Sequence, residues 1–224
     1  MFWIQRVSAD NCQMEVDYLT QVQETTKAIQ GRTTIIPEVG IVLGTGLGSL
    51  VEYINIETVI DYEDIPNFPL STVESHKGKL IFGQLGNKDV VVMQGRFHYY
   101  EGYDMKQVTF PVRVMKLLGI ETLFVSNAAG GLNPDFEVSD LMILNDHINL
   151  LPANPLSGPN LNELGPRFPD MSEPYSRALI QMANNLKDDL SGGMHQGVYA
   201  AVSYTHLTLP TTWSRWRARG ARGG

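Results

Sequence analysis

Val39-Gly40-Ile41-Val42-Leu43-Gly44-Thr45-Gly46-Leu47-Gly48-Ser49 is the stretch on which the fold turns. Its first five residues are apolar and follow Pro37, which reads as a buried strand. The rest is a glycine-rich turn expected to open a helix. Such a turn exposes backbone N–H groups at a helix N-terminus, where the dipole also favours an anion. No Gly-Lys-Ser/Thr follows, so it is not a Walker A loop, and Ser49 stands where a dinucleotide fingerprint has its third glycine. A plain tight turn is the competing reading.

Working outward, the 224 residues are 43% hydrophobic, enough to bury one substantial α/β core. The net charge of -7 argues against a general grip on nucleic acid. A single cysteine, Cys12, excludes an internal disulfide framework and suits a reducing compartment. No positive N-terminal region leads into an apolar run, and no stretch approaches about 18 uninterrupted apolar residues. The expectation is a soluble, cytoplasmic protein without membrane or nucleic-acid partners.

Residues 10–29 carry Met14, Val16, Leu19, Val22 and Ile29 at helical spacing, closed by Gly31, and read as an amphipathic helix over the core. Residues 56–60, 79–85 and 88–93 read as strands, the last two joined by a Gly86-Asn87 turn. Asp104 and Gln107 form a capping-box pattern for a helix to Leu118, stopped by Gly119 and expected to kink or break at Pro111.

After the strand at 88–93 comes Gly95-Arg96-Phe97-His98-Tyr99-Tyr100-Glu101-Gly102. Were it extended, Arg96, His98 and Tyr100 would share one face. A guanidinium and an imidazole together suit an oxyanion beside a polar substrate; an Arg and a His on a solvated strand end is the alternative. His76, in Ser75-His76-Lys77-Gly78, earns little alone, since a histidine in such a loop is more often a surface residue.

Residues 121–126 form another apolar strand, running into Asn127-Ala128-Ala129-Gly130-Gly131, small residues that let a ligand approach the backbone where open α/β sheets bind. A strand at 141–144 ends in Asn145-Asp146-His147-Ile148-Asn149, where Asp146 and His147 are either a catalytic pair or hydrogen-bonding residues closing the strand. Residues 152–170 read as a long loop, Ser172 as the cap of a helix to about Leu190, and 197–202 as a last strand.

Six strings occur in order: Gly44-Thr-Gly-Leu-Gly48; Ser75-His76-Lys-Gly78; Met93-Gln-Gly-Arg-Phe-His98 with Tyr100-Glu-Gly-Tyr103; Ser126-Asn-Ala-Ala-Gly-Gly-Leu-Asn133; Asp146-His-Ile-Asn149; and Asn154-Pro-Leu-Ser-Gly-Pro-Asn160. Together they resemble the trimeric class of purine nucleoside phosphorylases. The resemblance spans residues 10–202. It implies a single α/β domain over 1–202, with a central mixed β-sheet flanked by helices, assembling as a homotrimer. The implied reaction is cleavage of purine (2′-deoxy)ribonucleosides by inorganic phosphate, giving free base and (deoxy)ribose 1-phosphate for purine salvage. Phosphate is a co-substrate, and no metal or other cofactor is implied.

By the same resemblance, Thr45, Arg96, His98 and the Ala128 backbone hold phosphate, and His76 lies beside phosphate and ribose. Arg96, His98 and His76 are the catalytic candidates. Tyr100 packs on the ribose, Ala128, Ala129 and Gly130 line the substrate pocket, and Glu101 joins the polar network behind the base.

The pattern departs after Val202. These enzymes continue with a Thr-Gly-Pro segment ending in a purine-binding glutamate, whereas this chain reads Ser203-Tyr204-Thr205-His206 onward. Residues 203–224 carry four arginines and no acid; the body before them has 13 Lys and Arg against 24 Asp and Glu, a net of -11. This segment reads as an unrelated extension of the frameshift kind, expected to be disordered. The truncated domain is expected to be marginal, with an unpaired sheet edge, and to cleave little nucleoside. Two alternatives are a methylthioadenosine phosphorylase and a non-catalytic nucleotide-binding module resting on the glycine turn.

Overall fold

The computed structural model of the chain describes residues 9–44, 46–69, 78–189 and 192–202. Thr45, His76 and the segment from Ser203 lie outside the described residues. Packing divides the chain into two compact units, one of residues 1–128 with 155–167 and one of 129–154 with 168–224.

The first unit has the expected α/β character with a mixed central sheet. Its elements are α1 (Ala9–Gln30), β1 (Val39–Val42), β2 (Asn55–Asp61), β3 (Lys79–Leu85), β4 (Lys88–Gln94), α2 (Met105–Leu118) and β5 (Thr122–Val125). The strand order is β2-β3-β4-β1-β5. The β2/β3 and β3/β4 pairs are antiparallel, while β4/β1 and β1/β5 are parallel. Gly86 at φ 63° makes the tight turn between β3 and β4. Connections through β2 and β3 on one side, and through α2 on the other, leave β1 enclosed between two parallel neighbours.

Alternation along the strands builds a core on each face. Val91 and Met93 of β4, Leu80 and Phe82 of β3, and Val42 of β1 meet α1 and α2 through Tyr18, Val22, Ile29, Phe110, Val114, Met115 and Leu118. The intervening Val90, Val92, Ile81, Ile41 and Leu43 pack on the opposite face with Ile54, Leu50 and Val51. The buried stripe of α1 also includes Thr25 and Thr26, whose hydroxyls donate to Pro66 O at 2.7 Å and Val22 O at 2.8 Å. Self-satisfied hydroxyls let threonines replace apolar residues on a buried face.

Helix α2 opens with the expected reciprocal box: Gln107 N–H donates to Asp104 Oδ1 at 2.7 Å and Asp104 N–H to Gln107 Oε1 at 2.9 Å. The expected break at Pro111 does not occur; the helix runs through to Leu118. Phe110, Pro111, Val114, Met115 and Leu118 are all buried. Several such side chains, at about 1.5–3 kcal/mol each, outweigh the ~3 kcal/mol that an internal proline costs.

The second unit holds β6 (Leu141–Asn149), α3 (Arg177–Asn184) and β7 (Met194–Ala201), with β6 and β7 paired in parallel. Strand β6 does not stop at Leu144; a register shift between Leu144 and Asp146 lets pairing continue to Asn149. Helix α3 begins later and ends earlier than expected, because Ser176, whose Oγ accepts from Leu179 N–H at 3.4 Å, supplies the cap in place of Ser172. Ser172 N–H instead donates to Asp170 Oδ1 at 2.9 Å in a turn. Asp140 ties the starts of the strands: Oδ2 accepts from Glu137 N–H at 2.8 Å and lies 2.9 Å from His195 Nε2, and Oδ1 accepts from Gly193 N–H at 3.1 Å. The Glu137 N–H above all, then His195 and the Gly193 N–H, hold the Asp140 carboxyl below its ordinary range.

Candidate active site

Three loops leave the carboxyl ends of the adjacent parallel strands β4, β1 and β5, the position where open α/β sheets bind ligands. The loop after β1 is drawn against the end of β5. Gly44 N–H donates to Ser126 Oγ at 2.9 Å, and that hydroxyl donates to Val42 O at 3.3 Å. A Cβ at position 44 would lie 2.6 Å from Ser126 O and 2.9 Å from Asn127 Cα, so only glycine permits this approach. Beyond it, the expected helix is a six-residue 3-10 helix, Gly48–Tyr53, without a side-chain cap. Its short length weakens the dipole contribution to anion binding, a correction to the sequence expectation.

The loop after β4 does not continue as a strand. Gly95 at φ 102° swings the chain out of the sheet, and residues Tyr99–Glu101 form one 3-10 turn. Arg96, His98 and Tyr100 nevertheless converge, by a turn in place of an extended face. Arg96 Nε–H donates to His98 Nε2 at 3.0 Å, and Arg96 Nη1–H donates to Ser126 O at 2.7 Å. Tyr100 stacks on His98 with ring centres 4.8 Å apart and planes 23° from parallel.

The Arg96 contact fixes the histidine tautomer. A guanidinium N–H can only donate, so Nε2 of His98 is the acceptor and Nδ1 carries the proton. That proton meets Glu101 Oε1, 2.5 Å from Nδ1. The same oxygen accepts from His98 N–H at 3.2 Å, which closes the 3-10 turn on itself. The Glu101 side chain is 9% exposed, and Tyr100 is 63% exposed. A chain of charge-assisted bonds thus runs from carboxylate through imidazole to guanidinium. Nη2 of Arg96 makes no hydrogen bond among the described residues.

Ala128 lies exposed two residues past Ser126, its carbonyl accepting from Asn127 Nδ2 at 3.1 Å. Ala129 and Gly130 are exposed in the second unit, and a side chain at 130 would meet nothing within 4 Å. Thr45 and His76 lie outside the described residues. Asp146 and His147 do not form an imidazole–carboxylate pair: Asp146 Oδ1 accepts the His147 backbone N–H at 2.8 Å, and the His147 ring packs edge-on against Tyr175.

One residue and one contact were not assigned from the sequence. Ser126 was read as a strand's last residue and the start of a family string, with no role of its own, though a hydroxyl where an apolar run ends is a signal. The bond between Glu101 and His98 was legible as spacing i, i+3 in a turn but not as a contact. Among the described residues, no three His, Cys, Asp or Glu side chains gather as a metal-binding group, and no helix is long and apolar enough to cross a membrane.

Residues 38–211 match the family model described as Phosphorylase superfamily. Purine nucleoside phosphorylase 1 of Geobacillus stearothermophilus is 53% identical over 182 residues, 81% of this chain and 66% of that protein. The chain spans less than two thirds of the length of that relative, and 64% of the similar Bacillus subtilis protein. A crystal structure of a purine nucleoside phosphorylase with ribose 1-phosphate superposes at a TM-score of 0.80, with 44% identity over 90% of this chain and 76% of that one. The Schistosoma mansoni enzyme with inosine does so at 0.80, with 43% identity over 90% of this chain and 72% of that one. The chain belongs to the phosphorylase superfamily, and within it to the purine nucleoside phosphorylase family.

Proposed function

We propose that the chain catalyses phosphorolysis of purine nucleosides, with Arg96 and His98 holding inorganic phosphate. The observation that carries this reading is the guanidinium pinned by His98 and Ser126 at the carboxyl ends of β4, β1 and β5, with Nη2 unpartnered among the described residues. As the bond from the sugar C1′ to the purine nitrogen breaks, its electron pair leaves with the base and positive charge grows on the ribose. A phosphate oxygen forms the new bond to C1′, and the anion neutralises that charge as it approaches. A prealigned donor pair stabilises the anion without reorganising at the moment of reaction.

Thr45, His76 and the Ala128 backbone complete the phosphate site in this proposal. Tyr100, held against His98, packs on the ribose in this reading, and the family resemblance gives Ala129 and Gly130 as lining the base pocket. The relatives above, one with inosine and one with ribose 1-phosphate, support a purine nucleoside as substrate. We assign a cytoplasmic homotrimer, supported by the acidic, single-cysteine composition and by the family resemblance. The test is hypoxanthine release from inosine by the purified chain as inorganic phosphate is titrated. Saturable, phosphate-dependent release is expected, against the sequence expectation that a chain departing from the family pattern after Val202 cleaves little nucleoside; phosphate binding without release would bear that expectation out and leave only a binding module.

A further inference from the structure

The buried phenol of Tyr62 joins two separate stretches of the first unit. Tyr62 follows β2, is 4% exposed, and its N–H donates to Gly78 O at 3.0 Å. Its ring covers Gly78 so closely that a Cβ there would fall 2.1 Å from two ring carbons. Phe68 and Phe97 pack on the same ring with centres 4.9 Å and 5.4 Å away. In such a pocket a phenylalanine would fill the space, and an unpaired hydroxyl would be costly. Among the described residues the hydroxyl has one partner: it donates to Gly95 O at 2.8 Å. Burial pushes this phenol far up, so it stays a donor at any working pH.

Gly95 is the residue that turns the chain out of β4, at φ 102°. A glycine in that position is free to turn either way, and the orientation of the peptide between Gly95 and Arg96 decides where the guanidinium starts. Fixing the Gly95 carbonyl fixes that peptide. We propose that Tyr62 is a positioning residue for the anion-binding arm, its hydroxyl locking Gly95 so that Arg96 reaches both His98 and Ser126. The identity of the anion rests on the function proposed above; the positioning does not.

Two readouts test it. In Tyr62→Phe, solvent exchange of the Arg96 Nε–H, followed by NMR and assigned with Arg96→Lys, should rise about tenfold, and the Kd for inorganic phosphate should rise about fivefold, the scale of one lost hydrogen bond. Phe68→Leu, which loosens the same aromatic cluster without touching Gly95, should leave the exchange unchanged. Unchanged exchange in Tyr62→Phe, or an equal rise in Phe68→Leu, overturns the proposal. Should Tyr62→Phe not fold, Gly95→Ala decides, because a Cβ at that φ displaces the same carbonyl and must give the same rise. A wild-type chain that binds no phosphate defeats the proposed function and leaves the exchange test of Tyr62 intact.

Discussion

Oε1 of Glu101 stands 2.5 Å from Nδ1 of His98, one 3-10 turn away in the chain. Because Arg96 Nε–H occupies the other ring nitrogen, the three side chains have one consistent proton arrangement: carboxylate, Nδ1–H imidazole, guanidinium. The histidine therefore arrives at its site already committed to a tautomer, with an orientation that neither neighbour alone would fix.

Replacing Glu101 with Gln removes the charge while keeping a carbonyl acceptor. The short bond should relax and the His98 Nδ1–H proton resonance should move upfield, while Arg96 Nε–H keeps Nε2 the acceptor and the Nδ1–H tautomer in place. The phosphate-dependent rate should drop about tenfold, the difference between a charge-assisted and a neutral bond. An Nδ1–H resonance unchanged in the variant would refute the charge-assisted bond.

Arg96→Ala should lower kcat/KM for inosine phosphorolysis at least about 100-fold, as expected for losing a preorganised oxyanion donor. Circular dichroism should show the fold intact, since Arg96 lies outside both buried cores. Full turnover by a folded variant would remove Arg96 from the phosphate site.

Thr25→Val conserves shape but deletes the hydroxyl that donates to Pro66 O. The unpaired carbonyl should cost about 1–3 kcal/mol in urea unfolding. No loss would mean that Thr25 contributes only volume.

Asp140 gives an acid limb to stability. Its folded carboxyl lies below the ordinary value of 3.8, so its contribution is complete above that value and disappears as pH falls through the lowered one. Asp140→Asn should therefore melt earlier than the parent at neutral pH, with the gap closing toward pH ~2. A gap that persists there would assign the loss to packing.

Most of the first unit was legible because its signals are local. The strands at 79–85 and 88–93, the Gly86 turn and the Asp104 box each sit within a few residues and came through nearly intact. What sequence could not show was closure over distance. The clamp between Gly44 and Ser126 joins residues 82 apart, and the phenol of Tyr62 reaches Gly95 across 33. Pro111 misled because local cost is visible in sequence and the burial that outweighs it is not. The helix at 177–184 began late because several hydroxyls and carboxylates competed to cap it, and only geometry chooses among them. In the candidate site, residue types were readable, and the order in which they hydrogen-bond to one another was not.

Enclosing β1 between β4 and β5 also sets a timetable. The hairpin β3/β4 can form early from neighbours in sequence, yet Arg96 finds Ser126 only after the parallel pairing of Val39–Val42 with Thr122–Val125 has closed the long intervening loop. Anion affinity should therefore appear last during refolding, which makes inorganic phosphate a clock for the final step of assembly as well as the proposed co-substrate.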